Sequence, residues 1–362
     1  MAFSQVIPFM NSLGFSESLR SWMWTVSALV GMICQFFIGY ISDRYQKMKP
    51  YILVLSILFL ILSGLGYALV NSATSIVFLL ISLFVAMFKV SSNLIETWTI
   101  QMNHEVKNQF GLIRIFGSIG WAIGAVVVAW IIEDKGFEHL PIWIVIGGLI
   151  MLLIMSQLPD SEKLLNPVNL EMRQVKELFQ QPQYVLSLMI FFILFIVYAL
   201  DSLTVIDRMV ELQASNEQIG VRWSFMALIE IPLMVFGMWF IRRYSAKQIV
   251  KFTALMYGLR FVLYGFAQSP QQMILFSALQ GVTFPFLLLT QKILVDDYTP
   301  PHLRASGHMI MTAITSNIPI ILMPLLNAWL HQVISYSQIL ILSGLICLIP
   351  LALSFKLERT QS

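Results

Sequence analysis

Charged residues are scarce in this chain, since only 11% of its 362 residues are Asp, Glu, Lys or Arg. A soluble domain carries roughly 25%. A soluble protein is therefore excluded, because it could not bury an apolar fraction of 58%. Cysteine is nearly absent too: Cys34 and Cys347 both lie inside apolar runs and lack metal-ligand spacing. These two thiols predict neither a disulfide framework nor a metal centre.

Motifs for catalysis or direct use of ATP are also missing. The chain has no phosphate-binding loop, so ATP does not drive it directly. Its five histidines are scattered, and no Ser–His–Asp set can be assembled from them without arbitrary choices. The net charge of +3 is small and the basic residues are dispersed, which argues against a nucleic-acid partner. We expect no enzyme activity, no cofactor and no metal ion.

What the sequence has instead is a series of long apolar runs. A bilayer core of about 30 Å needs about 20 apolar residues per helix, and a lone strand would leave backbone groups unsatisfied in lipid. The sequence predicts eleven full membrane-spanning helices, near residues 21–42, 51–70, 76–100, 110–132, 141–158, 184–206, 219–241, 250–268, 272–294, 305–330 and 336–355. The stretch before residue 21 is too short and too polar for a full span, so we interpret it as a helix end followed by a loop.

The longest polar connection, 159–183, divides the chain nearly in two. It predicts an N-terminal helical bundle at 1–158, a linker at 159–183 and a C-terminal helical bundle at 184–362. Fifteen of the 22 Lys and Arg residues fall in loops on the linker's side or in the C-terminal tail. The positive-inside rule places that side, and the C-terminus, in the cytoplasm. Four basic residues are assigned to the outer side: Arg20, Lys135, Arg208 and Arg222.

The segment GYISDRYQKMK at 39–49 closely resembles the loop motif between helices 2 and 3 of the major facilitator superfamily. The matching residues are Gly39, Asp43, Arg44, Tyr45 and Lys47, whereas Gln46 departs from the usual glycine. The pair Arg44-Tyr45 recurs as Arg243-Tyr244, which is a short sign of an internal repeat. The resemblance implies an all-α polytopic membrane protein with two pseudo-symmetric helical bundles and most of helix 1 missing. It also implies a gating role for Gly39, Asp43, Arg44 and Lys47.

A narrower resemblance lies in FGLIRIFGSIGWAIG at 110–124, which is similar to helix 5 of the lactose permease and of the nucleoside and phenylpropionate symporters. The likeness implies that Arg114 binds the solute, that Trp121 stacks on its ring and that Glu96 partners Arg114. The lactose permease branch couples protons through a histidine and a glutamate on helix 10. Gln280 and Thr283 stand at those positions here, so another acid would have to carry protons.

Ionisable residues inside the apolar spans are the strongest functional signal. Each costs about 2.5–3.5 kcal/mol at a helix centre, so they should face water or one another. Lys89, Ser92, Asn93 and Glu96 fall at i, i+3, i+4 and i+7, and therefore on one helix face. This face lines either a solute passage or a helix contact. We predict that Lys89, Asn93, Glu96, Arg114 and Trp121 bind the solute.

The C-terminal half carries its own ionisable residues in predicted spans. Glu230 is the first candidate for proton coupling and Asp201 the second, with Arg260 near them. The alternative is that these acids are members of structural ion pairs.

These patterns predict a secondary transporter that moves a small polar solute by alternating access with proton symport. The solute classes are an oligosaccharide, a nucleoside or an aromatic acid. The expected partners are the solute, the proton and the lipid bilayer of the cell membrane, and the protein is expected to be a monomer. The alternatives are a drug or metabolite exporter of the same fold, which has little need of a Glu96–Arg114 pair, and a non-transporting sensor or degenerate transporter.

Overall fold

The computed structural model describes residues 2–45, 47–69, 72–103, 105–106, 110–161, 172–300 and 303–358. Within these ranges every regular element is a helix. The chain forms two compact units, Met1–Pro167 and Val168–Ser362. Eleven helical stretches among the described residues are long and apolar enough to cross a membrane. The predicted all-α, multi-pass fold is therefore confirmed.

The helices of the first unit whose bounds the structure describes are one short helix and five long ones. They are α1 (Val6–Ser12), α2 (Glu17–Tyr45), α3 (Lys49–Ala68), α4 (Thr74–Gln101), α5 (Phe110–Lys135) and α6 (Leu140–Gln157). Pro50 and Pro141 lie in the first turns of α3 and α6, where a missing N–H costs no helical hydrogen bond. Turns of 3-10 helix at Ala2–Gln5 and Phe137–His139 precede α1 and α6.

Every regular element in the described part of the second unit is also a helix. Its helices are α7 (Met172–Phe179), α8 (Pro182–Ala199), α9 (Thr204–Glu211), α10 (Asn216–Arg243), α11 (Ala246–Phe266), α12 (Pro270–Phe276), α13 (Gln280–Tyr298), α14 (Arg304–Thr312), α15 (Ile318–His331), α16 (Tyr336–Ile346) and α17 (Leu348–Ser354). Capping boxes at Ser215, Ser245 and Ser335 begin α10, α11 and α16. Each serine satisfies a backbone donor that the first helical turn leaves free.

The N-terminal segment is part of the core of the first unit. Val6, Phe9 and Met10 of α1 are at most 1% exposed. Phe9 contacts the rings of Tyr67 and Phe137 at centroid distances of 4.4 and 5.1 Å. The sequence-based interpretation as a helix end was right about its conformation and did not foresee this burial, because seven residues are too few to register as a membrane segment.

The beginning of α3 is fixed to the end of α6. Lys49 Nζ donates hydrogen bonds to the carbonyl oxygens of Ser156 and Leu158 at 2.7 and 2.6 Å. Asp160 Oδ1 accepts hydrogen bonds from the backbone N–H groups of Met48 and Lys49 at 3.0 and 2.9 Å. Both contacts are favourable with respect to the helix dipoles. The Lys49 ammonium lies at the C-terminal end of α6, and the Asp160 carboxylate lies at the N-terminal end of α3.

The second unit repeats the lysine half of this arrangement. Lys247 Nζ, at the beginning of α11, donates hydrogen bonds to the carbonyl oxygens of Phe355 and Leu357 after α17. Lys247 and its two acceptors lie 198 to 199 residues after their counterparts in the first unit. These contacts support the internal repeat that the Arg44-Tyr45 echo indicated.

Four membrane-spanning stretches in the described part of the second unit are interrupted, one of them by a turn at Cys347 between α16 and α17. Turns of 3-10 helix occur at Leu200–Ser202 and Ser277–Leu279, and a π-helical turn occurs at Ala313–Asn317. Such turns change the direction of the side chains that follow and are frequent at functional positions. Asp201 lies in the first of them, at Leu200–Ser202.

Candidate functional site

The first unit carries a polar surface on two consecutive helices, which we call the α4–α5 polar face. It comprises Lys89, Ser92, Asn93 and Glu96 of α4 and Arg114 of α5. Ser92, Asn93 and Glu96 are exposed, whereas Lys89 and Arg114 are half-buried. The helical spacing that predicted one shared face is thus matched by the exposure pattern, because the flanking residues Val90 and Leu94 are buried.

Glu96 and Arg114 form an ion pair on this face. Arg114 Nη1 donates to Glu96 Oε1, and the two side chains remain 32% and 47% exposed for Arg114 and Glu96 respectively. An ion pair this accessible is a weak source of stability. The guanidinium is nevertheless held in one orientation, and its other N–H groups can bind two hydroxyls or a carboxylate of a solute.

The other members of the face have different neighbours. Asn93 Nδ2 donates to Gln35 Oε1 at 3.3 Å, so α2 contributes to the same polar region. The ammonium of Lys89 lies 5.0 Å from the ring centroid of Trp24. In the described part of the chain, Lys89 has no carboxylate partner.

Trp121 belongs to an aromatic group rather than standing alone. Its ring centroid lies 6.1 Å from that of Phe3 and 6.2 Å from that of Phe88. Phe3 in turn stacks on Phe88 at 4.9 Å. Trp121 is half-buried, so part of its surface is open while the rest packs on these two rings. Its predicted role in stacking on a solute stays a prediction.

The predicted gating motif lies at the end of α2 and in the turn after it. Gly39 is in α2, and a Cβ added there would meet no atom within 4 Å. Lys47 is exposed. The side chains of Asp43 and Arg44 fall outside those that the structure describes. The gating role of all four residues stays a prediction.

The second unit carries a buried charge cluster, which is formed by Asp201, Arg222 and Arg260 and is called here the Asp201 cluster. Asp201 is 3% exposed and both arginines are 0% exposed. Arg222 Nη2 donates to Asp201 Oδ1 at 2.7 Å, and Arg260 Nη2 donates to the same oxygen. The structure therefore brings the predicted residues Asp201 and Arg260 together.

Arg260 connects this cluster to neutral polar groups on α11 and α13. Its Nε donates to the Tyr264 hydroxyl at 3.1 Å, and its Nη1 donates to Gln280 Oε1 and, at 3.1 Å, to Thr283 Oγ1. Gln280 Nε2 then donates to Glu230 Oε1 at 2.8 Å. A continuous hydrogen-bonded chain thus runs from half-buried Glu230 to buried Asp201.

Arg222 has a contact that the sequence did not predict. The charge count assigned Arg222 to the outer side of the membrane, and that side stays a prediction; the residue lies in the span Asn216–Gly237 and its side chain is fully buried against Asp201. Its Nε and Nη1 have no hydrogen-bond partner among the described residues, and its guanidinium lies 5.3 Å from the Trp223 ring centroid. The sequence feature that could have predicted this burial is the position of Arg222 inside the predicted span 219–241.

The α4–α5 polar face has groups that can bind a solute, and the Asp201 cluster contains a buried path of hydrogen bonds. Among the described residues, no group of three His, Cys, Asp or Glu side chains is placed to hold one. The chemistry available to these residues is hydrogen bonding, ion pairing and proton exchange.

Such helices and polar groups define a class of membrane transporter. Residues 3–319 match the MFS_1 like family. The match covers most of the chain, so the chain belongs to this family, and the predicted membership in the major facilitator superfamily is confirmed. The protein is a multi-pass membrane transporter of the major facilitator fold.

Similar proteins agree with this assignment. The chain is 22% identical over 343 residues to the uncharacterized transporter YwbF of Bacillus subtilis (strain 168), covering 93% of this chain and 84% of that protein. The crystal structure of the nucleoside transporter NupG is similar with a TM-score of 0.79 and 16% identity, covering 98% and 95% of the two chains. That of the D-xylose-proton symporter is similar with a TM-score of 0.74 and 16% identity, covering 98% and 93%.

Proposed function

We propose that this protein is a secondary active transporter that moves a small polar solute across the cell membrane by alternating access and proton symport. The observation that carries the proposal is the Glu96–Arg114 pair within two membrane-spanning helices. A charged pair with exposed side chains costs free energy in a membrane helix. We propose that the pair is present because it binds the solute. We further propose that the C-terminus is cytoplasmic, from the distribution of basic residues.

The solute classes that fit the α4–α5 polar face are an oligosaccharide, a nucleoside and an aromatic acid. The guanidinium of Arg114 can hold two hydroxyls of a polyol or one carboxylate, and the open part of Trp121 can contact a sugar or base ring. The names of the structural neighbours, a nucleoside transporter and a D-xylose-proton symporter, support solutes of the first two kinds. The binding set we propose is Lys89, Asn93, Glu96, Arg114 and Trp121.

Proton coupling is proposed for Glu230. A proton placed on Asp201 would leave two buried guanidinium charges without their counter-charge, which is costly. Glu230 is half-buried and accepts a hydrogen bond from the side-chain amide of Gln280, which connects it to the Asp201 cluster. The hydrogen bonds through Gln280 and Arg260 would couple the protonation of Glu230 to the geometry of the Asp201 cluster.

Uptake of labelled solutes into proteoliposomes, with and without an inward proton gradient, tests the proposal. We expect gradient-driven uptake of at least one of the three solute classes. Glu96→Gln and Arg114→Ala should each reduce uptake at least about tenfold, because each removes one side of a charge-assisted contact. Glu138→Gln, at an exposed glutamate near α6, is the matched control and should behave as the wild type.

Coupling is separated from binding by a second measurement on the same vesicles. Glu230→Gln should abolish the response to the proton gradient while exchange of internal for external solute continues. Unchanged uptake in both Glu96→Gln and Arg114→Ala would contradict the proposed binding site. Export of apolar cations without uptake would favour a drug exporter, and the absence of any flux would favour a non-transporting protein.

A further inference from the structure

Lys89 carries a charge on the α4–α5 polar face that no described carboxylate balances. The face holds two cations, Lys89 and Arg114, and one carboxylate, Glu96. Glu96 is engaged by Arg114. The contact recorded for the Lys89 ammonium is with the face of the Trp24 ring at 5.0 Å. That cation–π contact steadies the ammonium without neutralising it.

The position of Lys89 relative to the ion pair follows from helix geometry. Lys89 lies seven residues before Glu96 in α4, and Trp121 lies seven residues after Arg114 in α5, which runs in the opposite direction. A helix rises about 1.5 Å per residue, so both residues lie about 10 Å from the ion pair, on the same side of it. The 6.2 Å contact between the rings of Phe88 and Trp121 agrees with this equal depth.

We infer that the transported solute is an organic anion, whose acidic group binds at Lys89 while its other polar groups meet Glu96 and Arg114. This inference rests on the proposed function and narrows its three solute classes to their acidic members. A neutral sugar or nucleoside would leave the Lys89 charge unbalanced in a membrane-spanning helix. A monoanion gives the occupied face a net charge of zero. Trp24, Phe88 and Trp121 would then surround the apolar part of the solute.

The test compares acidic compounds with neutral ones of nearly the same shape. The probe pairs are galacturonate with galactose, orotidine with uridine, and 3-phenylpropionate with 3-phenylpropionamide. Equilibrium dialysis of the purified, detergent-solubilised protein measures the Kd of each. The wild type should bind the acid of at least one pair about tenfold or more tightly than its neutral counterpart, as expected for a charge-assisted contact.

Variants at Lys89 then locate the source of that preference. Lys89→Met should remove the preference for the acid, so that the two compounds of a pair bind within about twofold of each other, and Lys89→Arg should retain the preference. Lys135→Met, at an exposed lysine at the end of α5, is the control and should match the wild type. Lys89→Gln replaces Lys89→Met if the latter does not fold, as judged by thermal unfolding.

Each outcome decides the inference. Equal binding of both compounds in every pair would overturn it and leave the proposed transport of a polar solute standing. An acid preference that survives in Lys89→Met would also overturn it, because Lys89 would then serve only to pack on Trp24. If no probe binds and none enters proteoliposomes, the inference and the proposed function fall together.

Discussion

Asp201 offers a single carboxylate oxygen to two guanidinium groups that have no exposed surface. Burying one charge is costly, and burying three in contact requires good geometry together with further hydrogen bonds. Arg260 meets that condition through Tyr264, Gln280 and Thr283. Arg222 meets it less completely, because two of its donors lack a partner among the described residues. The carboxylate is therefore the residue that holds this cluster together.

Removing the charge of Asp201 should destabilise the protein strongly. Asp201→Asn leaves two buried guanidiniums without a counter-charge, so the free energy of unfolding should fall by about 3–5 kcal/mol. Thermal unfolding of the purified protein in detergent measures the change. Glu211→Gln is the control, because it breaks the exposed Arg208–Glu211 pair at 2.7 Å, which should cost about 0–1 kcal/mol. A loss for Asp201→Asn no larger than that of the control would contradict this account.

At the scale of an element, the beginning of α3 depends on contacts from outside its own helix. The Met48 position that precedes α3 has no side-chain cap, and Asp160 supplies the missing acceptor from the segment after α6. Burial alone raises the pKa of the Asp160 carboxyl, but the N–H donors of Lys49, Met48 and Ser161, with Lys47 nearby, lower the pKa below its ordinary value. The carboxylate is thus stabilised in its ionised form.

The lowered pKa of Asp160 predicts a pH-dependent contribution to stability. The contribution is fully present above the unfolded pKa, about 3.9, and is lost as the pH falls through the lower folded pKa. Asp160→Ala should therefore reduce the free energy of unfolding by about 1 kcal/mol at pH 7, as for other lost caps, and by less below pH 4. Unfolding in detergent at pH 7, 5 and 3 measures the difference.

Asp134→Ala is the matched control for Asp160→Ala, since Asp134 is an exposed aspartate in the last turn of α5. It should change stability by less than about 0.5 kcal/mol at each pH. A deficit in Asp160→Ala that stays constant from pH 7 to pH 3 would show that the ionised carboxylate is not what stabilises the beginning of α3.

At the scale of the whole molecule, two helical units of similar construction make up the chain. The lysine contacts of Lys49 and Lys247 recur 198 residues apart, which is consistent with a repeated unit. The charged residues differ between the units: the first has a half-exposed ion pair with an extra lysine, and the second has a buried cluster. We interpret this difference as a division between solute binding and coupling.

The distribution of basic residues predicts on which side of the membrane each loop lies. In a background in which Cys34 and Cys347 are alanine, Glu138→Cys should react with a membrane-impermeant maleimide on intact cells, because the loop between α5 and α6 is predicted outside. Gln180→Cys, between α7 and α8, should react only after permeabilisation. Both residues are exposed, so labelling reports sidedness. The reverse pattern of labelling would show that the predicted topology is inverted. The loop that carries the gating motif would then lie on the outer side of the membrane.

The sequence by itself determined the fold class, because apolar runs of membrane-spanning length can only be helices in lipid. It also placed Glu96 against Arg114. These residues lie at similar distances before and after the short loop joining α4 and α5, so the loop fixes their relative depth. The shared face of Lys89, Ser92, Asn93 and Glu96 followed from helical periodicity for the same local reason.

The tertiary structure alone decided that Arg222 pairs with Asp201 and where the N-terminal segment lies. Arg222 meets Asp201 because the helix is interrupted at Leu200–Ser202, and Leu203 adopts φ −118° and ψ −91°. Periodicity assumes an unbroken helix, so it could not give the direction of Asp201 after that turn. Likewise, the seven residues of α1 are too few to predict membrane burial, and the structure shows Val6, Phe9 and Met10 buried, with the Phe9 ring against Tyr67 and Phe137.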